Sequence, residues 1–270
     1  MQLGLEGKTA IVVGGSRGIG KAIATGLARE GVDVVIIARS RDQLETTARE
    51  LQAETARKVV PIVADVTVRQ QVDSAVTKAA DLLGKLNILV NSGSVPVGKA
   101  GGSIESIVDD DFLDDFNVKY MGALRCARAA IPHLINQRWG RIINISGNSA
   151  RIAGNLSAGA RNTPLVHLTK TLAGQLGRHG ITVNCIHPGA TRTERTPGVL
   201  AKRARELGIT PVEVERRDYA HDSPSGNSIG RMVEATEIAD CAVFLASDRA
   251  RAITGGLVVV DGGAGQAVYY

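Results

Sequence analysis

Short runs of valine and isoleucine alternate with helical segments along the chain, and this alternation limits the possible folds more than any other feature. We predict buried strands at seven segments: 9–13, 33–37, 59–63, 86–90, 140–145, 181–186 and 256–260. The patterns between them predict helices at 19–30, 41–53, 69–83, 110–137, 157–178 and 235–246. Uninterrupted apolar runs are typical of parallel strands that helices cover on both sides. The pattern therefore predicts an α/β fold with one doubly wound parallel sheet and helices on both faces.

One long segment, about 192–231, interrupts this alternation. It is polar and contains Pro197, Pro211 and Pro224. Connections of this length in a compact domain are usually lids or binding loops. We therefore expect a substrate lid here, and a mobile insertion without a function is the alternative.

Composition argues against several classes of protein. The excess of Lys and Arg over Asp and Glu is mild, 32 against 27, and aromatic residues make up 3%, too few to stack single-stranded bases. Nucleic acid is therefore not an expected partner. No apolar stretch approaches the roughly 20 residues that span a bilayer, so no membrane association is expected. The three cysteines form no C-x-x-C pair and the N-terminal residues show no signal-peptide pattern, so we expect no metal site and a cytoplasmic location.

A glycine-rich loop connects the first predicted strand to the first predicted helix. Residues 13–20 read Val-Gly-Gly-Ser-Arg-Gly-Ile-Gly. Glycines permit a tight turn and let a pyrophosphate approach the N-terminus of a helix, where free N–H groups and the helix dipole favour anions. In this strand–turn–helix context the loop predicts a single Rossmann-type dinucleotide-binding domain over residues 1–270.

The spacing Gly14-x-x-x-Gly18-x-Gly20 resembles that of the short-chain dehydrogenase/reductase family (SDR). Further matches include Asp65-Val66 after the third strand, 91–94 where the family has Asn-Asn-Ala-Gly, and the turn that begins at Pro188-Gly189. The resemblance covers nearly the whole chain and implies a nicotinamide cofactor. The cofactor-binding positions that we expect are Gly14, Ser16, Arg17, Gly18, Ile19, Gly20, Arg39, Ser40, Asp65, Val66, Asn91, Ser92, Gly93, Ile145, Asn162, Pro188, Gly189, Thr191 and Thr193.

The end of the second predicted strand indicates which nicotinamide cofactor binds. An acidic residue there would bind a ribose 2′-hydroxyl, but the strand ends with Ala38, Arg39 and Ser40. Arg39 is placed to meet a 2′-phosphate, and Arg17 projects from the glycine loop on the same side. We therefore expect NADP(H); NAD(H) is the less favoured alternative.

The resemblance fails at the catalytic residues. Members of the family usually carry a serine followed by Tyr-x-x-x-Lys, and the tyrosine exchanges the proton with the substrate. Counting from the flanking motifs places Gly147 at the serine, Ala158 at the tyrosine and Asn162 at the lysine. Asn117 corresponds to the family's helix asparagine and is the one catalytic residue that we expect to be retained.

Other groups can replace the missing acid. Ser146 lies near the expected site, although turn or cap chemistry is its alternative role. Tyr219 and His221 lie in the predicted lid and have suitable chemistry for proton transfer. Solvent-facing positions are the alternative for both. Water can also supply the proton, and an already activated substrate needs less help from an acid.

We expect an NADP(H)-dependent oxidoreductase that acts on a small-molecule carbonyl, imine or other activated substrate. A cofactor-binding protein without redox turnover (a sensor or a silent partner subunit) and non-redox lyase chemistry are the alternatives. The resemblance, the small-residue face 158–160 and the apolar run 257–260 also predict a homo-oligomer, a tetramer with two kinds of two-fold interface.

Overall fold

The computed structural model describes residues 2–93, 103–223 and 225–265. The strands in this part of the chain are β1 (Thr9–Val13), β2 (Asp33–Ala38), β3 (Val59–Val63), β4 (Ile88–Asn91), β5 (Gly140–Ile145), β6 (Ile181–Pro188), β7 (Thr191–Arg192), β8 (Val233–Glu234) and β9 (Leu257–Val260). The α-helices are α1 (Gly18–Arg29), α2 (Arg41–Thr55), α3 (Arg69–Leu83), α4 (Asp109–Phe116), α5 (Gly122–Gln137), α6 (Leu156–Leu176), α7 (Thr196–Leu207), α8 (Pro211–Asp218) and α9 (Ala235–Ala246).

Seven strands form one parallel sheet in the order β3-β2-β1-β4-β5-β6-β9. The expected doubly wound α/β fold is therefore confirmed. The strand order reverses between β1 and β4. In open α/β sheets, ligands bind at such a switch point, beyond the carboxyl ends of the strands.

Two apolar layers cover the two faces of this sheet. In β1, Ala10 and Val12 face a layer that includes residues of α1, α2 and α9, whereas Ile11 and Val13 face a layer that includes residues of α3, α5 and α6. Successive residues of a strand point to opposite faces, so an uninterrupted apolar run supplies both layers.

The single helix expected at 110–137 is interrupted. Between α4 and α5 lies a five-residue π-helical turn, Asn117–Met121. A π-turn inserts an extra residue into the helical repeat and changes which side chains face the sheet, and such turns are frequent at functional sites.

The segment 192–231 contains two helices, α7 and α8, rather than loop alone. Leu200, Ala204 and Val214 form a small apolar cluster between them, separate from the main core. Thr210 caps α8, and its side chain and that of Glu213 bond reciprocally to each other's backbone N–H. In the described ranges no helix combines the length and hydropathy of a membrane span.

Candidate functional site

The candidate site lies at the switch point between β1 and β4, where the glycine loop follows β1. Gly14 has a positive φ of 76°, and a Cβ added to it would lie 2.8 Å from the carbonyl of Ser92 after β4. A Cβ on Gly20 would lie 2.2 Å from the carbonyl oxygen of Gly14. The loop therefore requires glycine at both positions, because the backbone packs too closely for any side chain. The carbonyl of Ser16 accepts a hydrogen bond of 2.8 Å from the Thr47 hydroxyl, which ties the loop to α2.

The turn after β6 reaches the same loop. A Cβ on Gly18 would contact the Thr193 methyl group at 3.4 Å. The N–H of Gly18, at the start of α1, donates a 2.9 Å hydrogen bond to the Glu194 carboxylate. Ile19 follows in the first turn of α1. A carboxylate therefore lies at the helix N-terminus where the sequence predicts a phosphate, and it shows that this end of α1 attracts anions.

Two arginines next to this loop are exposed and lack an acidic partner. Arg17 and Arg39 make no ion pair within the described ranges. Ser40 is the N-cap residue of α2, and its side chain makes no cap hydrogen bond. Arg195 adds a third positive charge here: its pKa is lowered by partial burial and then by Arg17. The geometry leaves these guanidinium groups available for a phosphate.

Asp65 and Val66 follow β3. The Asp65 carboxylate accepts hydrogen bonds from the N–H (2.9 Å) and the hydroxyl (2.8 Å) of Thr67, which form a local turn. Val66 lines a small cavity of about 10 Å³ together with Asn91, Gly93 and Lys119. The position after Gly93, Ser94, lies outside the described residues.

A chain of buried amides connects β4 and β5 to α6. The Asn91 side chain donates to Asn144 at 2.9 Å, and Asn144 donates in turn to Thr169 at 2.9 Å. The Asn91 Oδ1 atom is buried without a hydrogen-bond partner in the described structure. Because a buried acceptor without a partner costs free energy, this atom is available for a ligand.

The end of β5 is tied to α6. Ile145 is buried in the core, and the hydroxyl of Ser146 donates a 2.9 Å hydrogen bond to the backbone carbonyl of Asn162. The Asn162 amide donates to Ser149 at 2.8 Å, while its Oδ1 is also buried without a partner. A Cβ on Gly147 would lie 3.1 Å from the Asn162 amide nitrogen. The serine therefore holds α6 in place, and Asn162 keeps an acceptor free.

Ala158 lies in the first turn of α6. Its N–H donates a 2.8 Å hydrogen bond to the Asn155 side chain, which caps the helix. The methyl side chain has no proton to exchange. Tyr120 packs against the core and its ring lies 5.0 Å from that of Phe116. Of the remaining tyrosines of the chain, Tyr219 lies in the predicted lid. The two at 269–270 lie outside the described residues.

The turn after β6 is held by backbone contacts. The N–H of Gly189 donates to Val260 at 3.0 Å, and the Thr191 hydroxyl donates to the Gly189 carbonyl at 2.8 Å. A Cβ on Gly189 would lie 2.7 Å from Asp261.

Just before Pro188, His187 is fully buried, and burial lowers the pKa of its imidazole to about 4. His187 is therefore neutral near pH 7 and unsuited to act as an acid there.

The structure places Asn117 and Lys119, two residues apart, in different surroundings. The side-chain oxygen of Asn117 accepts a 2.8 Å hydrogen bond from Arg125. Lys119 is 6% exposed, and its ammonium group makes no ion pair or hydrogen bond within the described ranges. Burial, followed by the like charge of Arg161, lowers its pKa from 10.5 to about 8. The catalytic role expected for Asn117 stays a prediction.

Our sequence reasoning missed Lys119, although a signal was present. Lys119, Ala123, Cys126 and Ala130 follow each other at helical spacings of three and four, and the last three are apolar. A lysine on the apolar stripe of a helix is a candidate for burial. The π-turn lies within this stripe and was not predicted.

The two lid candidates follow the end of α8. Tyr219 is half-buried, and its pKa is raised by burial and then by the carboxylates of Asp218 and Glu215, both in α8. His221 is exposed in the following turn. A raised pKa makes Tyr219 a weaker acid, and its role and that of His221 stay predictions.

A buried ion pair connects α4 to α6. Arg161 lies 3.5 Å from the Asp115 carboxylate, which also accepts a 2.7 Å hydrogen bond from the Ser157 hydroxyl. The exposed fractions of the two charged side chains are 6% and 1%. This arginine therefore has an internal partner.

The site fits a dinucleotide phosphate cofactor on several observations. The glycine loop has no room for a Cβ at Gly14 or Gly20, and the start of α1 holds a carboxylate. Among the described residues, two arginines lack acidic partners and two buried amide oxygens lack hydrogen-bond donors. Among the described residues, no three His, Cys, Asp or Glu side chains are grouped as metal ligands.

Comparisons with known proteins agree with this geometry. Residues 13–265 match the family model described as enoyl-(acyl carrier protein) reductase. The chain is 32% identical over 263 residues to oxidoreductase UcpA of Salmonella typhimurium, covering 96% of this chain and 95% of that protein. It is 33% identical over 263 residues to the 3-oxoacyl-[acyl-carrier-protein] reductase FabG of Pseudomonas aeruginosa, covering 97% and 98%. The crystal structure of L-sorbose reductase from Gluconobacter frateurii with NADPH and L-sorbose superimposes with a TM-score of 0.91 at 29% identity, covering 99% of this chain and all of the other.

Proposed function

The chain belongs to the short-chain dehydrogenase/reductase family, and we propose that it is an NADP(H)-dependent oxidoreductase acting on a small carbonyl, imine or other activated substrate. The observation that carries this proposal is the glycine cradle flanked by Arg17 and Arg39. No acid stands at the end of β2 to repel a 2′-phosphate, and both arginines lack acidic partners in the described structure.

Different residues of the chain bind different parts of the cofactor. The glycine loop and the start of α1 receive the pyrophosphate, and Arg39 binds the 2′-phosphate. Asn91 and Asn162 offer their free oxygens near the carboxyl ends of β4 and β5. The turn 188–193 closes the site on the other side. When bound, NADP(H) supplies or accepts the hydride, and the protein orients it and excludes water.

One feature supports a second candidate function. Ala158 has no exchangeable proton and Asn162 has no charge, so the family's usual proton transfer is missing at the positions that we counted. Loss of acid–base help costs about 10²–10⁴-fold in rate. A cofactor-binding protein without redox turnover is therefore the alternative.

Calorimetric titration tests the cofactor. We expect NADPH to bind more tightly than NADH, because a charged hydrogen bond contributes about 1.5–3 kcal/mol. Arg39→Asp should weaken NADPH binding by about 10- to 100-fold and reverse the preference, because an acidic residue at this position binds the ribose 2′-hydroxyl of NADH. The control is Arg251→Asp, an exposed arginine after α9. Equal affinities of the wild-type protein for NADPH and NADH would contradict the proposal.

Turnover distinguishes the two candidate functions. NADPH absorbance is followed with a panel of ketones, imines and conjugated electrophiles. Oxidation of NADPH supports the oxidoreductase, whereas tight binding without oxidation supports the alternative. If the lid supplies the acid, Tyr219→Phe and His221→Ala should lower turnover by about 10²–10⁴-fold. If neither variant does, the lid has no part in proton transfer.

A further inference from the structure

Lys119 is a buried cation at the candidate site to which the proposed function gives no role. It lies in the π-helical turn between α4 and α5, and it is one of the residues that line the small cavity bordered by Asn91 and Gly93 at the carboxyl end of β4. It is 6% exposed and makes no ion pair within the described ranges. Burying an unpaired ammonium is costly, so a purely structural reason for this lysine is missing.

Two residues of the π-turn have different surroundings. Asn117 accepts a hydrogen bond from Arg125, whereas Lys119, two residues later, borders the cavity. The buried lysine thus belongs to an uncommon helical geometry, beside a cavity that the last residues of β1 and β4 also line. Asn91 and Asn162, whose free oxygens we assign to the cofactor, belong to β4 and α6, and both of these elements contribute residues to the lining of this cavity.

The charged and titratable groups around Lys119 come from several elements. Arg161 of α6 repels it, although Asp115 of α4 pairs with that arginine. On β6, the thiol of Cys185 is close enough to influence Lys119, and Lys119 lowers the pKa of His187. His187 is also influenced by Arg151 and Asp261. Burial raises the pKa of the Cys185 thiol to about 12, so neither residue of β6 carries a charge near pH 7.

We propose that Lys119 is the acid of this site and that its ammonium group gives the proton that the substrate oxygen takes up during reduction. The proposal rests on the proposed function. NADPH, held by the glycine loop and Arg39, would supply the hydride that the carbonyl carbon of the substrate accepts. The electron pair of the C=O π bond moves to oxygen, and a proton from Nζ of Lys119 forms the O–H bond. Lys119 is left as a neutral amine and regains its proton from water.

The pKa of about 8 suits this role, because an acid is most effective when its pKa is near the working pH. Reduction should be independent of pH below this value and should fall as the ammonium group loses its proton at higher pH. Ser146 and Asn162 cannot supply an acid of this strength, since neither titrates in this range.

Two variants distinguish the proton-donating role of Lys119 from the effect of its positive charge. Lys119→Met removes both and should lower ketone reduction by about 10²–10⁴-fold. Lys119→Arg keeps the charge, but a guanidinium does not release its proton near neutral pH, so it should bind NADPH and still reduce ketones poorly. The control is Lys78→Met, an exposed lysine of α3, which should behave like the wild type.

A substrate that needs no proton provides the decisive comparison. A quaternary iminium ion accepts a hydride and becomes a neutral amine without protonation. Lys119→Met should therefore reduce a cyclic iminium at nearly the wild-type rate while it fails on the matching ketone. Equal losses on both substrates, or no loss on the ketone, would overturn the proposal. If the wild-type protein reduces neither substrate or does not bind NADPH, the proposed function itself is wrong.

A measurement without turnover completes the test. In protein labelled with ¹⁵N-lysine, one Nζ resonance should titrate well below the ordinary lysine range, be absent in Lys119→Met, and shift when NADP⁺ is added. If Lys119→Met does not fold, Lys119→Arg serves for the assignment. The absence of such a resonance, or one that does not respond to NADP⁺, would overturn the proposal.

Discussion

Replacing Lys119 with methionine should stabilise the fold near neutral pH and lose this advantage as the pH rises. Burial lowers the pKa of Lys119 from 10.5 to about 8. Below about pH 8 the lysine is charged in both the folded and the unfolded chain, so folding carries the full cost of burying the ammonium. Above 10.5 it is neutral in both states and that cost disappears. A methionine fills a similar space without a charge at any pH.

The size of the effect follows from the two pKa values. Between about pH 8 and 10.5 the unfolded chain binds more protons at this site, so the contribution of Lys119 to stability rises with pH. At about 1.4 kcal/mol for each pH unit, the full difference is on the order of 3 kcal/mol. Lys119→Met should therefore unfold with a free energy about 3 kcal/mol above that of the wild type at pH 7.

Urea denaturation at pH 7, 8, 9 and 10.5, at one protein concentration and without cofactor, measures this difference. The buried thiols of Cys126 and Cys185 have pKa values raised to about 12 and oppose stability at high pH, but both proteins contain them. Lys78→Met controls for the loss of an exposed lysine. A difference that stays constant with pH, or a variant less stable than the wild type at pH 7, would refute the reasoning.

Three further predictions follow from the contacts of the fold. Asp115→Asn leaves Arg161 charged in a buried position and should cost about 3–5 kcal/mol by chemical denaturation, whereas adding Arg161→Met should recover part of this loss; an unchanged stability would show that the pair is solvated. Glu194→Gln removes the carboxylate from the Gly18 N–H and should tighten NADPH binding by about two- to fivefold in calorimetry, and weaker binding would contradict a competition for this end of α1. The edge strand Leu257–Val260 is apolar and half-exposed, so light scattering should give four times the chain mass of 28.3 kDa; a monomer mass at micromolar concentration would rule out the tetramer.

The elements of the sheet were predictable because their signals are local. The strand predicted at 9–13 and the helices predicted at 69–83 and 235–246 agree with β1, α3 and α9 at both ends. Continuous apolar runs and helical stripes depend on neighbours a few residues away, and two-sided burial is the same for every strand of a covered parallel sheet. The glycine loop is similar: its spacing alone indicates the close backbone approach that Gly14 and Gly20 show.

The candidate site was predictable only in part. Arg17 follows β1, Arg39 follows β2 and Asn91 ends β4, whereas Asn162 lies in α6. Their roles toward a cofactor stay predictions. The sequence does not predict which polar atoms of the site lack a hydrogen-bond partner within the protein. Whether the oxygen of Asn91 has a partner depends on Asn144, 53 residues away, and whether Ser146 can donate to a substrate depends on a carbonyl of α6 that already accepts its proton.

The fold class, the glycine loop and the lack of an acidic residue at the end of β2 follow from the sequence alone, since each is a property of a few consecutive residues. Packing between distant elements buries Lys119 while Asn117 accepts a hydrogen bond from Arg125. It also brings the carboxylate of Glu194 to the N–H of Gly18, 176 residues away in the chain. A π-turn arises where packing against the sheet changes the helical repeat, and no local pattern encodes that change. Burial and charge at this site are thus set by elements far apart in sequence, because a side chain's surroundings are the sum of everything that packs against it.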